Sequence, residues 1–454
     1  MVSNLPDQFV LQMNQLLGQS AIEFFEALSH DPCYSIRLNP HKKTDLDTLE
    51  LDHAVAWHDD AYYLKKRPVF TLDPLFHAGA YYVQEASSMF VLKAIESIGF
   101  DLTRPLRILD LCSAPGGKTT LLSELGSHHL IVANEVIKSR YHILNENLTR
   151  WGIRNLITLN YDVDRLTDFE GYFDIVLVDA PCSGEGLFRK DSAASSHWSE
   201  DAVNHCSLRQ KRILERAKSL VKRGGLLLYS TCTYNRSENI NQIQSLCEEG
   251  QFVSLKLNDI DQYNLFEYDE SEVFGYQFFP HLVKGEGFFL SILQCKEGKE
   301  FKEPKFRIDS SSLILKKQKE LLGDSFEIDE SRYYFLQNDS IKCIDAYFKE
   351  DVQWMLQKYR GNFGIPMASI KKDLLIPEHD AVMNPFINHR FPSEEISREQ
   401  ALKFLKKEAI ALSFSGKSWL QVNYKGQGLG WVKSLGNRVN NYLPKNLRIR
   451  MRID

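Results

Sequence analysis

Apolar residues recur at helical spacing near the start of this chain. Phe9, Val10, Met13, Leu16 and Leu17 form one stripe, Gly18 interrupts it, and Ala21, Phe24, Phe25 and Leu28 resume it. The spacing predicts two short helices whose apolar faces belong to a core. After Pro32, residues 34–40 read as a strand entering a turn, which makes the first unit a small α+β body. From Leu106 the period changes. Short runs rich in Ile, Leu and Val, at 106–111, 130–136, 156–159, 174–178 and 225–229, alternate with stretches of helical pattern. That alternation predicts a mostly parallel sheet covered on both faces. Such sheets bind ligands beyond the carboxyl ends of their strands. Polar residues close most of these runs: Asp110, Glu135, Asp162, Asp179 and Cys232. A charged stretch from Lys296 to Ser312 reads as a linker, and a mixed segment follows to about Gly364. Residues 419–422 and 428–432 predict short strands in a last β-rich unit. The units expected are therefore 1–98, 99–296, 297–364 and 365–454.

Composition changes this picture in two places. The 454 residues are 43% hydrophobic and 25% charged, ordinary for a globular protein of two or three domains, and the net charge of −5 excludes a polycation. Residues 401–454, however, hold eleven Lys and Arg against two acids, Glu408 and Asp454, a net of +9. A basic tail on a mildly acidic body points to a local polyanion contact, although a solvated charged face would give the same count. The eight cysteines are scattered, the closest pair, Cys232 and Cys247, being fifteen apart, and no C-x-x-C occurs. No metal site is expected, and the thiols are expected to be reduced. The first eighteen residues lack a leader pattern and no run of eighteen apolar residues exists, so a cytoplasmic protein without membrane spans is expected.

The first loop of the sheet region is Cys112-Ser113-Ala114-Pro115-Gly116-Gly117-Lys118-Thr119. Its Gly-Lys-Thr resembles the end of a phosphate-binding P-loop, but the glycine required five places before Gly117 is Cys112. The dinucleotide pattern G-x-G-x-x-G is also missing. What remains is a strand, a glycine turn and a helix, a place where backbone N–H groups approach a ligand closely. Glu135, eighteen residues past Gly117, ends the next run and suits the two hydroxyls of a ribose. Asp162, after the third run, is placed to reach an adenine edge. A nucleoside without a long phosphate tail fits these acids, and S-adenosylmethionine, whose sulfonium is cationic, is the cofactor they point to. Any one strand-end acid could equally be a helix cap; several in register favour the ligand.

Two cysteines complete the pattern: Cys182 in Asp179-Ala180-Pro181-Cys182-Ser183-Gly184-Glu185-Gly186, and Cys232 in Ser230-Thr231-Cys232-Thr233. C5 of cytosine is a poor nucleophile. A thiolate adding to C6 makes C5 enamine-like, after which the C5 proton must leave and the thiol be expelled. One sulfur that attacks and one that helps it leave suit this chemistry. Nitrogen methylation needs no such thiol, and Asp179-Ala180-Pro181 is followed by Cys182 rather than by a base-stacking aromatic residue. A single buried cysteine would be simply a small apolar residue.

These motifs together resemble those of the Sun-type RNA cytosine-5 methyltransferases. Residues 79–89, Pro280-His281 and Gly285-Glu286-Gly287-Phe288-Phe289 are similar to further segments of the family, so the resemblance spans nearly the whole chain. It implies a Rossmann-like catalytic domain at 99–296, a small N-terminal α+β RNA-recognition domain and a C-terminal PUA-like β-rich domain. It implies Cys232 as nucleophile and Cys182 as the thiol assisting release, although DNA cytosine-5 enzymes attack with the Pro-Cys thiol, which keeps the reverse assignment open. It also implies cofactor contacts from residues 112–118, Glu135, Asp162 and Asp179, with Asp179 and Lys118 near the cytosine ring, where a hydrogen bond at N3 would absorb developing charge.

The tail, from Gly428-Leu429-Gly430-Trp431-Val432-Lys433 to Pro444, resembles the PUA-like tail of the bacterial branch that acts on small-subunit rRNA. In that reading Lys433, Arg438, Lys445, Arg448 and Arg450 contact the RNA backbone, giving affinity rather than sequence choice. The expected partner is small-subunit rRNA or the assembling 30S subunit, bound by a monomer. The same chemistry on tRNA, or an RNA-binding assembly factor without activity, are the alternatives. Tyr81 and Tyr82 suit either base stacking or the core, and His281 suits packing or the rim of the site.

Overall fold

The computed structural model describes residues 5–307, 310–372 and 374–451. The outermost residues of the expected first and last units, and two residues of the expected linker, lie outside these. The two helical stripes form helices Asp7–Leu17 and Ala21–Leu28, interrupted at Gly18. Their apolar faces pack as read, but against the catalytic unit rather than a core of their own: Phe9, Met13 and Phe24 join Phe188, Trp198, Tyr234 and Phe279. The first sheet contains β1 (Ser35–Leu38), β2 (Leu51–Ala54), β3 (Ala61–Leu64) and β4 (Tyr81–Val83), in the order β2-β3-β1-β4.

The alternating region forms β5 (Arg107–Asp110), β6 (Leu130–Asn134), β7 (Leu156–Leu159), β8 (Phe173–Asp179) and β9 (Val221–Thr231), followed by β10 (Phe252–Ser254), β11 (Phe266–Glu270), β12 (Val273–Phe278) and β13 (Phe288–Cys295). The strands from β7 through β6, β5 and β8 to β9 are parallel, and β13 returns antiparallel beside β9. Both faces are covered, which is why Ile108, Val132, Ile157, Val176 and Leu227 are all fully buried. The chain runs outward from β5 in one direction and resumes on its other side with β8. The β5/β8 junction is therefore the switch point, where the strand ends splay apart and a crevice opens.

The remaining strands are β14 (Arg332–Gln337), β15 (Ser340–Asp345), β16 (Gly361–Phe363), β17 (Ile365–Lys371) and β18 (Leu374–Pro377), then β19 (Ser393–Glu395), β20 (Lys417–Tyr424), β21 (Gln427–Leu435) and β22 (Val439–Asn441). Here the structure departs from the expected partition. The sheet β14-β15-β17-β18 straddles residue 364, and β16 pairs with β7, extending the catalytic sheet. Covering that edge satisfies a row of backbone groups otherwise open to another chain. The expected linker carries no regular structure over 301–307, yet Phe301 packs on Tyr172 with ring centroids 4.7 Å apart.

The tail is not a loose appendage. Ile396, Leu402, Phe404, Leu420, Val422, Leu429 and Val432 share one apolar cluster with Ile36, Leu64, Leu75 and Tyr81 of the first unit. The two ends of the chain therefore build one body on the flank of the catalytic sheet. Phe404→Ala is expected to cost about 3–5 kcal/mol, and hydrogen exchange should show the tail and the β1–β4 sheet losing protection together. Retention of protection in β1–β4 would contradict the shared core.

Candidate active site

The crevice at the switch point gathers most of the residues singled out by the sequence. β5 ends at Asp110, the loop of residues 112–116 turns, and a helix begins at Gly117. Gly116 makes that turn with φ at +110°, a conformation side-chain-bearing residues rarely adopt. From the helix, Lys118 reaches across to the end of β8, where its Nζ lies 2.9 Å from Asp179 Oδ2. Asp179 Oδ1 accepts from Ser230 Oγ at 2.8 Å, which ties β8 to β9. Burial pulls the Lys118 ammonium down, but Asp179 outweighs it and the pKa ends above that of an ordinary lysine.

Beyond these two strand ends stand the thiols. Cys182 Sγ and Cys232 Sγ are 3.3 Å apart, fifty residues apart in sequence and unbonded. The loops that carry them touch through backbone. Gly186 N–H donates to the Cys232 carbonyl at 2.9 Å, and a Cβ on Gly186 would lie 2.8 Å from that same oxygen and 2.7 Å from Gly287 O. Only glycine permits this approach. The Cys182 thiol is pushed well up, first by its hydrogen bond to Cys232 and then by burial.

Cys112, half-buried, lies in the field of three carboxylates. Burial raises its thiol first, and Asp110, Asp179 and Glu135 raise it further, so it is no nucleophile. Glu135 Oε1 accepts from the Ile137 N–H at 2.8 Å, and Arg140 stands 3.6 Å from Oε2. Ser113 Oγ and Thr119 Oγ1 both bond to Asp110, the first to its carbonyl at 2.7 Å and the second to its Oδ2 at 2.6 Å. Asp110 Oδ1 is buried without a partner. An acid-lined crevice with an orphaned carboxylate oxygen suits a cationic ligand, and the group implied by the fold is a sulfonium. In this respect the residues fit it.

Asp162 behaves differently from the other acids. Its oxygens lie 3.1 and 3.2 Å from the Arg212 guanidinium, and Oδ1 caps the Asp164 N–H at 3.0 Å. Burial would raise it, but Arg212 and the cap hold its carboxyl below the usual range. Tyr81 is core, its hydroxyl bonded to Asp73 at 2.7 Å, whereas Tyr82 donates to Pro115 O of the loop at 3.2 Å. His281 packs on Phe24 and Phe279. Among the described residues no His, Cys, Asp or Glu group is arranged to hold a metal, and no helix is long and apolar enough to cross a membrane.

Three residues stand in places that the sequence did not give them. Asp110 was seen only as a strand-end acid. Arg37, from β1, is fully buried against the loop helix, where it donates to Thr120 Oγ1 at 2.6 Å, pairs with Glu124 and stacks 4.4 Å over Trp151. Burial pulls its pKa down to about 9. Phe288 lies with its ring centroid 5.1 Å from Lys118 Nζ.

Burial pushes Asp110 up to about 7, against the opposing hydrogen bond from Thr119. The unfolded carboxyl titrates near 3.9. Between these values the folded state holds an extra proton, so the stability linked to this residue is full below about pH 4 and is lost as pH rises through about 7. The unfolding free energy of the protein minus that of Asp110→Asn should therefore fall by up to about 4 kcal/mol from acid to neutral pH. Paired urea titrations check this, and a pH-independent difference would contradict it.

Comparison with known sequences agrees with this geometry unit by unit. The 16S rRNA methyltransferase RsmB/F family matches residues 100–294, the N-terminal domain of 16S rRNA methyltransferase RsmF matches residues 5–86, and the methyltransferase RsmF PUA domain matches residues 391–449. The ribosomal RNA small subunit methyltransferase F of Shewanella loihica is 32% identical over 91% of this chain and 88% of its own. That of Aliivibrio fischeri is 30% identical over 98% of this chain and 97% of its own. Among solved structures, a methyltransferase homolog protein from Pyrococcus horikoshii aligns with a TM-score of 0.53 at 27% identity, over 64% of this chain and 95% of its own. NSun6 from Pyrococcus horikoshii with SFG shares the fold, with a TM-score of 0.54 at 18% identity over 65% of this chain and 100% of its own. A Rossmann-like sheet with paired thiols at its switch point, flanked by matching N-terminal and PUA units and by relatives alike over nearly their whole length, places the chain in the ribosomal RNA small subunit methyltransferase F family.

Proposed function

We propose that this chain transfers the methyl group of S-adenosylmethionine to C5 of a cytosine in small-subunit rRNA, through a transient bond between Cys232 and C6 of the base. The observation that carries this reading is the 3.3 Å separation of the Cys182 and Cys232 sulfurs beside the Lys118–Asp179 pair. Residues 112–118 and Glu135 would hold the cofactor, with Asp179 at its reacting end; Asp162 would join them only by exchanging Arg212 for the ligand. When bound, the cofactor supplies an electrophilic methyl group on a cationic sulfur.

The chain's own residues do the rest. Cys182 Sγ stands 3.3 Å from Cys232 Sγ, close enough for its S–H to donate to the attacking sulfur. The Lys118 ammonium lies within electrostatic reach of Cys232. Cys232 adds to C6, and the C5–C6 π pair becomes available at C5 for bonding to the methyl group. Lys118, oriented by Asp179, would take up the negative charge that reaches the ring during attack. A water molecule takes the C5 proton, the C5–H electron pair restores the double bond, and the Cys232–C6 bond breaks with its pair on the departing sulfur, to which Cys182 gives a proton; the proton released to water restores Cys182. The reverse assignment, attack by Cys182, predicts the opposite behaviour of the Cys182→Ala and Cys232→Ala variants.

The RNA backbone falls to the tail. Burial pulls the Lys407 ammonium down first, and the positive charges of Lys445 and Arg448 pull it further, which marks a local concentration of cations there. Lys433 stands 5.3 Å over the Trp419 ring, which meets Tyr442 at 4.4 Å. A paired target would have to leave its stack to reach the thiols. Bisulfite sequencing of RNA from a strain lacking this gene tests the reading. Loss of a methylated cytosine in small-subunit rRNA is expected, whereas loss confined to tRNA, or no loss, would overturn the substrate.

A further inference from the structure

We propose that Glu185 and Glu238 are positioning residues, each carried on the loop of one catalytic cysteine and fastened to the loop of the other, and that this crossed pair sets the spacing of the two sulfurs. The proposal rests on the reading of Cys232 and Cys182 above and deepens it.

Glu185 lies three residues beyond Cys182, yet its Oε2 accepts the backbone N–H groups of Tyr234 at 2.8 Å and Asn235 at 3.0 Å, immediately past the Cys232 turn. Glu238 lies six residues beyond Cys232, yet its Oε2 accepts the backbone N–H of Ser183 at 3.0 Å, the residue after Cys182. Each acid thus reads the position of the opposite backbone. Asn235 links the two, its Nδ2 donating to Glu185 Oε1 at 3.1 Å and to Glu238 Oε1 at 2.7 Å. The outer lone pairs are taken by Trp198 Nε1 at 3.0 Å and Gln12 Nε2 at 3.2 Å on Glu185, and by Gln210 Nε2 at 2.7 Å on Glu238. Gln12 belongs to the first helix, so the N-terminal unit also closes on this brace.

The chemistry of the donor set explains why acids stand here. Neither glutamate exposes any surface, and among the described residues neither pairs with a cation. The backbone and side-chain groups named here all donate N–H to them, so the position suits a side chain that only accepts. A glutamine of the same shape would turn an NH₂ toward N–H groups at one oxygen position and lose those bonds. Burying two carboxylates among neutral donors is a costly way to hold loops together, and apolar packing would do that more cheaply. What the carboxylates add is directional constraint on two backbones at once. At 3.3 Å a thiol proton can pass its hydrogen bond to the neighbouring sulfur; a displacement of about 1 Å at a reacting centre costs on the order of 10²-fold in rate.

The test uses the full-length protein as Glu185→Gln and Glu238→Gln, with two readouts. The first is oxidation by diamide, which takes two protons and two electrons from the thiols and is reduced to its hydrazine while the Cys182–Cys232 disulfide forms. Peptide mapping follows that bond. The second is single-turnover methylation of small-subunit rRNA with the fraction of denaturant-resistant protein–RNA adduct. Each variant is expected to form the disulfide about tenfold more slowly, to methylate about 10²-fold more slowly and to accumulate adduct, while cofactor affinity by calorimetry stays within about twofold. Slow methylation with an unchanged disulfide rate would overturn the proposal, as would an unchanged rate in both readouts. If Glu185→Gln does not fold, Glu238→Gln is judged by the same readouts. Should Cys182→Ala yield no adduct, the covalent reading fails, and the disulfide rates still decide the brace.

Discussion

Cys232→Ala is expected to lose methyl transfer by about 10⁴-fold or more and to form no covalent complex with RNA, because no other sulfur at the switch point replaces the attacking one. Cys182→Ala is expected to behave oppositely. Attack by Cys232 remains possible, but the proton donor 3.3 Å away is gone, so the adduct forms and resolves slowly. A band of protein–RNA complex that survives denaturant should therefore accumulate with Cys182→Ala and be absent with Cys232→Ala. The double variant should give neither product nor band. A band that appears with Cys232→Ala would reverse the two roles.

The second large effect falls on Lys118. Its ammonium is held against Asp179 at 2.9 Å and faces the ring of Phe288. Charge leaving the reacting sulfur for the pyrimidine passes this cation, and in a low-dielectric site such a preoriented charge is worth about 10²–10³ in rate. Lys118→Met is expected to lower kcat by that factor, with a smaller change in the KM for the cofactor. It also leaves Asp179 with Ser230 alone, so Lys118→Arg, which keeps the charge but not the geometry, should recover only part of the loss. A drop confined to KM would assign Lys118 to cofactor binding instead.

Much of this arrangement was legible along the chain, for definite physical reasons. Strands buried on both faces must be apolar throughout, so β5 to β9 stand out as Ile, Leu and Val runs, and their polar ends mark the crevice. Cys182 and Cys232, fifty residues apart in sequence, come together because β8 and β9 are parallel neighbours whose ends align at Asp179 and Ser230. What escaped the sequence is what depends on distant partners. Asp162 has the right place on its strand for a ligand, but Arg212, on the helix Glu200–Leu220, claims its carboxylate. No local spacing announces a partner on another element. The sheet that straddles residue 364 escaped for the same reason: β17 pairs with β15 across a stretch in which β16 leaves to join β7.

The shared core of the two chain ends was equally hidden, since Leu75 and Leu429 carry no sign that they meet. Its consequence is functional. The tail packs on β1, and β1 reaches the loop helix through Arg37 and Thr120, so the body that would grip RNA is joined by contacts to the crevice that would hold the cofactor. Glu185 was in plain view, three residues before Phe188 in its glycine-rich run. A charged residue between two glycines, next to a buried strand end, is the one local signal that could have marked it as a buried acceptor.

The most direct measurement replaces the target cytosine by 5-fluorocytosine in an RNA substrate and maps the product with the unaltered protein by mass spectrometry. Fluorine does not leave C5 as the proton does, so the reaction should stop at the covalent stage. The account predicts a peptide in which Cys232 carries the base, methylated at a carbon that keeps its fluorine. A base attached to Cys182, or a methylated base attached to no sulfur, would contradict it.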